Sequence, residues 1–281
     1  MSFAVIASSK DSAGMNIRNS LIRLFGFSES NEKFDENQIF KYSAINEGNV
    51  SLYLINEDLI FAESIDKKIS ADFYIFASKH RSKENTPSFA VHPIGNWGKA
   101  EFGGMEKKLC PSCADLLKGL YISLVQNSHF SGKNANFEAT MEATHHGPYV
   151  EKPAVFIEIG STEAEWSNPD NGEVIARTIM SCLLNQNKST VYKNVIGIGG
   201  PHYCSNFNRI VLSTDIAISH ICPKYMLDKL DEELIMQAVE KTAEKIDFAL
   251  LDWKGMGTYR KNIVKLLEKI KIDYKKIHDI S

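Results

Sequence analysis

Histidine is the side chain in this sequence best placed to do chemistry. Six of the eight histidines, His80, His92, His145, His146, His202 and His220, fall at or just beyond the ends of segments that read as strands. Ligands of open α/β sheets gather where loops leave the carboxyl ends of strands. Several imidazoles in such a place can hold a metal ion or move protons. Any one of them taken alone is more simply a hydrogen-bonded loop histidine, so the inference rests on the group. Thr144-His-His-Gly-Pro148 is its sharpest part. Neighbouring residues on a strand point to opposite faces, so His145 and His146 can meet one ion only where the strand has ended, and Gly147-Pro148 ends it. Glu142 alternates to the face opposite His145 and matches His146. Its carboxylate can ligate zinc, orient an imidazole or act as a general base; the plain alternative is a solvent-facing glutamate on a half-exposed strand.

Gly197-Ile-Gly-Gly-Pro-His-Tyr203 follows an expected strand and precedes a possible helix. Glycines there, Gly199 and Gly200 above all, let backbone N–H groups approach an anion, with His202 at the mouth. A tight strand-to-helix turn would need the same glycines. The spacing is neither a dinucleotide-binding fingerprint nor a P-loop. Lys79-His-Arg-Ser-Lys83 is a basic cluster at a strand end, and its Lys79 and Arg81 suit phosphate contacts. Asp252-Trp-Lys-Gly255 also ends a strand, where Lys254 can orient a substrate or pair with Asp252. Cys110-Pro-Ser-Cys113 lacks the second ligand pair of a structural zinc site and the preceding buried strand of a redox site, and reads as incidental. No nucleophile elbow or zincin helix is present.

These residues need elements to position them. Short apolar runs at 3–7, 73–77, 154–159 and 248–251 read as buried strands. Further strands are expected at 39–45, 49–55, 88–92, 137–144, 191–198 and 215–220. Helices are expected from Asp11 or Ser12 to about 25, from Pro111 to about 129, and over 171–186 and 231–246. Ile263, Leu266, Leu267 and Ile270 give a last helix one apolar face, with Lys261, Lys265 and Lys269 opposite for solubility. The polar stretch 28–37 reads as a surface loop. Strands and helices alternate without repeat or linker, so residues 1–281 are expected to form a single α/β domain around a central mixed β-sheet flanked by helices.

Composition adds mostly exclusions. The 281 residues are 43% hydrophobic and 24% charged, and 32 basic against 35 acidic side chains give a net charge of −3. Disorder, a collagen-like chain and a disulfide scaffold are excluded. No run approaches the length of a membrane span and no signal peptide is read. The five cysteines fit a reducing, cytoplasmic setting. A nucleic-acid partner would require positive charge concentrated around His80, His145 and His202.

Taken in order, the Ala77-to-Ser82, Val91-His92 with Gly95-Asn96, Ala143-to-Pro148, Gly197-to-Tyr203 and Asp252-to-Gly255 motifs resemble the archaeal- and plant-type D-aminoacyl-tRNA deacylases over nearly the whole chain. The resemblance implies a fold similar to peptidyl-tRNA hydrolases and nucleoside phosphorylases. It implies a zinc-dependent hydrolase, with up to two Zn2+ per chain, that cuts the ester joining a D-amino acid to the 3′ ribose of tRNA. His145, His146 and His202 are then the first choices as ligands or water-activating residues, and His80, His92 and Glu142 the second. Lys79, Arg81 and Lys254 would meet phosphates and the glycine loop the terminal ribose-phosphate. A monomer with no protein or membrane partner is expected. Two other readings compete: another enzyme on the same fold, a peptidyl-tRNA hydrolase or nucleoside phosphorylase, and a non-catalytic tRNA-binding protein.

Overall fold

The computed structural model describes residues 1–280 apart from 45–47, 83–84, 129–136 and 185–189. Lys83 of the basic cluster, the turn expected at Glu47 and the far ends of the helices expected to reach His129 and Gln186 lie outside the described residues. In chain order the elements are β1 (Ser2–Ser8), α1 (Ser12–Phe25), β2 (Ser28–Phe34), β3 (Asn37–Ala44), β4 (Gly48–Ile55), β5 (Phe73–His80), β6 (Ser88–Pro93), α2 (Ala114–Ser128), β7 (Glu138–Met141) and β8 (Ala154–Gly160). They continue with α3 (Glu163–Ser167), α4 (Pro169–Leu184), β9 (Lys193–Ile198), α5 (Ser205–Ser213), β10 (Ile216–Cys222), α6 (Glu232–Glu240), β11 (Phe248–Leu251), α7 (Arg260–Lys269) and β12 (Tyr274–Lys276).

Eight strands form a mixed sheet in the order β2-β3-β4-β1-β5-β8-β6-β7. This is the expected α/β architecture, with one amendment: the last four strands make a separate, all-parallel sheet, β10-β9-β11-β12. The division falls at β7. That strand was expected to run to Thr144 but its last paired residue is Met141. Glu142 N makes the final bond to β6, to Val91 O at 3.0 Å, after which Ala143 N donates to His202 O at 2.9 Å and Thr144 N to Ile221 O of β10 at 3.0 Å. Residues 142–144 are thus a seam that ties the two sheets by main-chain bonds. Helix α2 packs on both β6 and β10, and one apolar cluster contains residues of both sheets, such as Ile157 and Val91 with Ile218 and Leu250.

Two further expectations are corrected. Residues 28–34 form an edge strand rather than a loop, because β2 is held by backbone bonds to β3 and buries no face, leaving no apolar alternation to read. Helix α2 starts at Ala114, not Pro111. Residues 109 and 112 make bridges to Gly95 and Thr242, and Glu244 accepts from the first free N–H groups, Ala114 N at 2.9 Å and Asp115 N at 3.1 Å. The expected cap of α1 holds: Asp11 Oδ1 accepts from Gly14 N at 2.9 Å. Among the described residues no helix is long and apolar enough to cross a membrane.

Candidate active site

Register explains why the polar groups converge. Ser78 pairs with Glu158 and His80 with Gly160 between β5 and β8, while Ala90 pairs with Glu158 and His92 with Phe156 between β6 and β8. Paired residues share a face and alternate residues return to it. His80, Glu158 and His92 therefore stand on one face of the sheet. Glu142 joins them at the next position beyond the last β6–β7 pair, Val91 with Met141. The same face carries stacked Phe76 and Phe156 towards its other end, 5.0 Å apart, so one apolar layer gives way to a charged one along three strands.

The seam brings the remaining imidazoles. The His145–His146 turn is braced by the glycine-rich segment: Gly95 N donates to His146 O at 2.9 Å and Gly147 N to Phe102 O at 3.0 Å. His146 has a φ of 43°, a left-handed conformation uncommon outside glycine that turns its ring back beside its neighbour. A Cβ on Gly147 would lie 2.1 Å from Gly104 N, so only glycine permits this approach. The second sheet places His202. Asn208 Nδ2 donates to Tyr203 O at 2.9 Å and to Thr140 Oγ1 at 2.8 Å, fixing the turn before α5 to β7.

Ring centroids of His92 and His145 are 4.0 Å apart, of His145 and His146 4.4 Å, and of His145 and His202 4.7 Å. In three of these rings Nδ1 faces a carbonyl: His92 with Pro93 O at 3.0 Å, His145 with Ala143 O at 2.8 Å and His146 with Gly147 O at 2.6 Å. A carbonyl only accepts, so Nδ1 carries the proton and Nε2 presents a lone pair, the tautomer a metal ligand needs. Burial, reinforced by the neighbouring imidazoles, pushes His146 down to about 4 and His145 well below the usual histidine range, so both rings are neutral near pH 7.

The carboxylates behave oppositely. His80 Nδ1 lies 3.3 Å from Glu158 Oε2 and 3.4 Å from Glu142 Oε1. Burial would depress His80, but the hydrogen bond to Glu158 and the two negative charges outweigh it and raise its pKa to about 9. Burial likewise opposes ionisation of Glu158, yet the hydrogen bond from His80 and its charge hold it well below the usual carboxylate range. Glu142 is fully buried, not solvent-facing. Its Oε2 stands 3.4 Å from His202 Nε2 and 3.7 Å from His145 Nε2.

Three groups of side chains could hold a metal ion among the described residues: His92, His145 and His146; Glu142, His145 and His202; and His80, Glu142 and Glu158. Zinc fits this donor set by a structural test. His92 Nε2 and both oxygens of Glu142 are buried without a hydrogen bond; His80 Nδ1 stands 3.4 Å from Glu142 Oε1, so His92 Nε2 and Glu142 Oε2 remain as buried acceptors, costly unless a cation or proton meets them. His145 Nε2 faces the Glu142 carboxylate with lone pair against lone pair, an arrangement a cation relieves.

The groups open on a cavity of about 450 Å³ lined by His80, His145, His146, His202, Glu158, Lys79, Arg81, Asp11 and Phe102 among others. Two larger depressions, about 660 and 470 Å³, contain no histidine. Lys79 and Arg81 lie over the Trp166 ring, at 5.9 and 5.2 Å from its centroid. They are offset by Asp11, Asp58 and Glu158 in the same lining. The fixed charges thus give no positive excess, which leaves the cationic His80 and any bound metal to supply it.

Not every expected residue arrives. Gly199 and Gly200 have φ of 100° and 80° and pack on the Asp252 turn, where a Cβ would lie 3.0 Å from Asp252 O and 3.2 Å from Asp252 Oδ2. Neither these glycines nor Lys254 line the cavity. His220 lies inside β10 rather than at its end and turns Nδ1 to Thr144 Oγ1 at 3.3 Å, apart from the metal-competent groups. Cys110 and Cys113 are free thiols; the first is buried and the second lies 2.9 Å from Glu244 Oε1. Glu158 was missed, and the sequence marks Asp11 and Tyr203 only as a helix cap and as the end of the glycine motif. Glu158 had one legible signal, a lone charge inside the apolar run 154–160, since a charge in a buried strand requires a partner.

The sequence model described as D-aminoacyl-tRNA deacylase matches residues 67–275. The D-aminoacyl-tRNA deacylase of Thermococcus onnurineus is 35% identical over 278 residues, covering 96% of this chain and 98% of that protein. Those of Pyrococcus furiosus and Methanosarcina mazei are each 36% identical, covering 92% and 95% of this chain and 93% and 89% of theirs. The crystal structure of a conserved protein of unknown function superposes with a TM-score of 0.86 at 30% identity, covering all of this chain and 96% of that one.

Proposed function

Because the chain belongs to the D-aminoacyl-tRNA deacylase family, we propose that it hydrolyses the ester between a D-amino acid and the 3′ ribose of tRNA, with zinc held by His92, His145 and His146. The observation that carries this reading is the convergence of three imidazoles in one metal-competent group, each with Nδ1 facing a backbone carbonyl and so with Nε2 unprotonated; His145 and His146 of the three line the cavity. Bound zinc would supply a Lewis acid that brings the pKa of water towards neutrality. His145 belongs to two of the candidate groups but has one Nε2 lone pair, so it serves one ion at a time. That favours one zinc over two.

The protein's own groups then account for the protons. Attack forms a bond from the water oxygen to the acyl carbon, and the ester C–O bond breaks. The departing ribose oxygen needs a proton, and His80 lines the cavity, is cationic at neutral pH, and has Nε2 at the opposite side of the ring from its carboxylates, 3.3 Å from Tyr203 Oη. Glu142 has no exposed surface, so it acts through His202, whose Nε2 lies 3.4 Å from its Oε2, rather than on substrate directly. His202 lines the cavity and would take the proton shed by water, with the Glu142 carboxylate stabilising the imidazolium that forms. Lys79 and Arg81, braced on Trp166, would meet the phosphates of the tRNA end. The test is deacylation of D- and L-aminoacyl-tRNA by the zinc-loaded protein and by the same sample after chelation. Release confined to the D ester and lost with the metal is expected; equal action on both esters, or full activity after metal removal, would reject the reading.

A further inference from the structure

Phe102 is 64% exposed yet lines the cavity beside His145 and His146. Its position is fixed by bonds on both sides. Phe102 O accepts from Gly147 N, one residue beyond His146, at 3.0 Å. Asn96 Nδ2 donates to Gly103 O at 2.9 Å and to Met105 O at 3.3 Å, and Gly104 N donates to Glu63 Oε1 at 2.6 Å. A Cβ on Gly103 would lie 1.7 Å from Ile60 O, so the loop is also pressed against the residues before it. An aromatic ring left in water on a loop tied down in this way offers a flat apolar surface at a fixed distance from the reacting ester.

We propose that Phe102 is the stacking platform for the 3′-terminal nucleobase of the tRNA, and so a specificity-determining residue for that end of the substrate. The inference rests on the deacylase reading, which places the terminal ribose at the histidines. That ribose carries its base and its phosphate on short tethers. Lys79 and Arg81 in the same lining offer the charge complement of the phosphate, and Phe102 is the only Phe, Tyr or Trp among the described residues that line the cavity. Stacking on an aromatic side chain is how proteins commonly hold unpaired bases of single-stranded RNA ends.

An aromatic amino-acid side chain on the ester could use the same ring, so the experiment varies both partners. KM and kcat are measured for D-alanyl- and D-tyrosyl-tRNA with the zinc-loaded wild type, Phe102→Ala and Phe102→Trp. Binding of adenosine 5′-monophosphate to each protein is measured by NMR titration. Phe102→Ala is expected to raise KM about tenfold, equally for both esters, with a much smaller change in kcat, and to weaken nucleotide binding comparably. Phe102→Trp should restore both. An unchanged KM, a rise confined to the D-tyrosyl ester, or nucleotide binding indifferent to Phe102→Ala overturns the proposal. The two readings fail separately: a wild type that hydrolyses neither ester rejects the deacylase, while nucleotide binding still decides whether Phe102 receives a base.

Discussion

Two clusters share the cavity and treat the same side chain in opposite ways. His145 and His146 sit among other imidazoles and backbone carbonyls, and burial keeps them neutral. His80 is also buried, but two carboxylates face its Nδ1 and hold it charged. Burial is common to both, so neighbours decide the outcome. The contrast assigns roles, since a metal ligand must be neutral and a proton donor must be charged at working pH. It also explains why His80 is a poor ligand despite standing within a metal-competent group: its Nδ1 is already engaged by Glu158 and Glu142.

Breaking the neutral cluster should have the larger effect. His146→Ala removes one of the three imidazoles of the His92, His145 and His146 group and is expected to lower zinc affinity and deacylation by at least about 100-fold, since loss of even an indirect supporting group typically costs 10- to 100-fold. Metal titration and single-turnover hydrolysis would check this; zinc affinity unchanged from wild type would remove His146 from the ligand set.

Breaking the charged cluster comes next. Glu158→Gln keeps the shape but takes away the charge that supports His80. It leaves a buried ion pair half made, a change that typically costs about 3–5 kcal/mol, and chemical denaturation should show a loss of that order. The His80 pKa, followed by NMR, should fall from about 9. If neither changes, Glu158 is not what holds the proton on His80.

The smallest effect, and the one that separates the clusters most cleanly, is on the pH dependence of stability in the metal-free protein. The folded pKa of His146 lies below its unfolded value, so the unfolded chain binds more protons as pH falls from about 6.5 towards 4, and stability declines over that window. The folded pKa of His80 lies above its unfolded value. Its contribution is complete below about 6.5 and is lost as pH rises towards about 9. His146→Ala should make the acid limb shallower and leave the alkaline limb unchanged, and His80→Ala should flatten the alkaline limb. Both variants flattening the same limb would contradict the division.

The histidine cluster was legible because its residues are rare and sit beside glycine and proline, which mark chain reversals. Glu142 was legible as a candidate but not as a buried one, because its strand alternates polar and apolar residues as a half-exposed strand would. Only the structure shows that β7 ends at Met141 and that Glu142 enters the seam between the sheets. The seam itself was invisible for the same reason: period 2 identifies strands without saying which sheet each joins. Gly199 and Gly200 looked like an anion cradle, yet steric contact with the Asp252 turn already requires glycine there. Backbone approach to a protein turn and approach to a phosphate leave the same trace in sequence.

Zinc content and stereospecific deacylation, measured on one sample of the wild type and one of His146→Ala, test the central claim most directly. The account predicts about one zinc per wild-type chain, with release of D- but not L-amino acid, and loss of both metal and activity in the variant. A wild-type protein that carries no zinc and still deacylates D-aminoacyl-tRNA would contradict it.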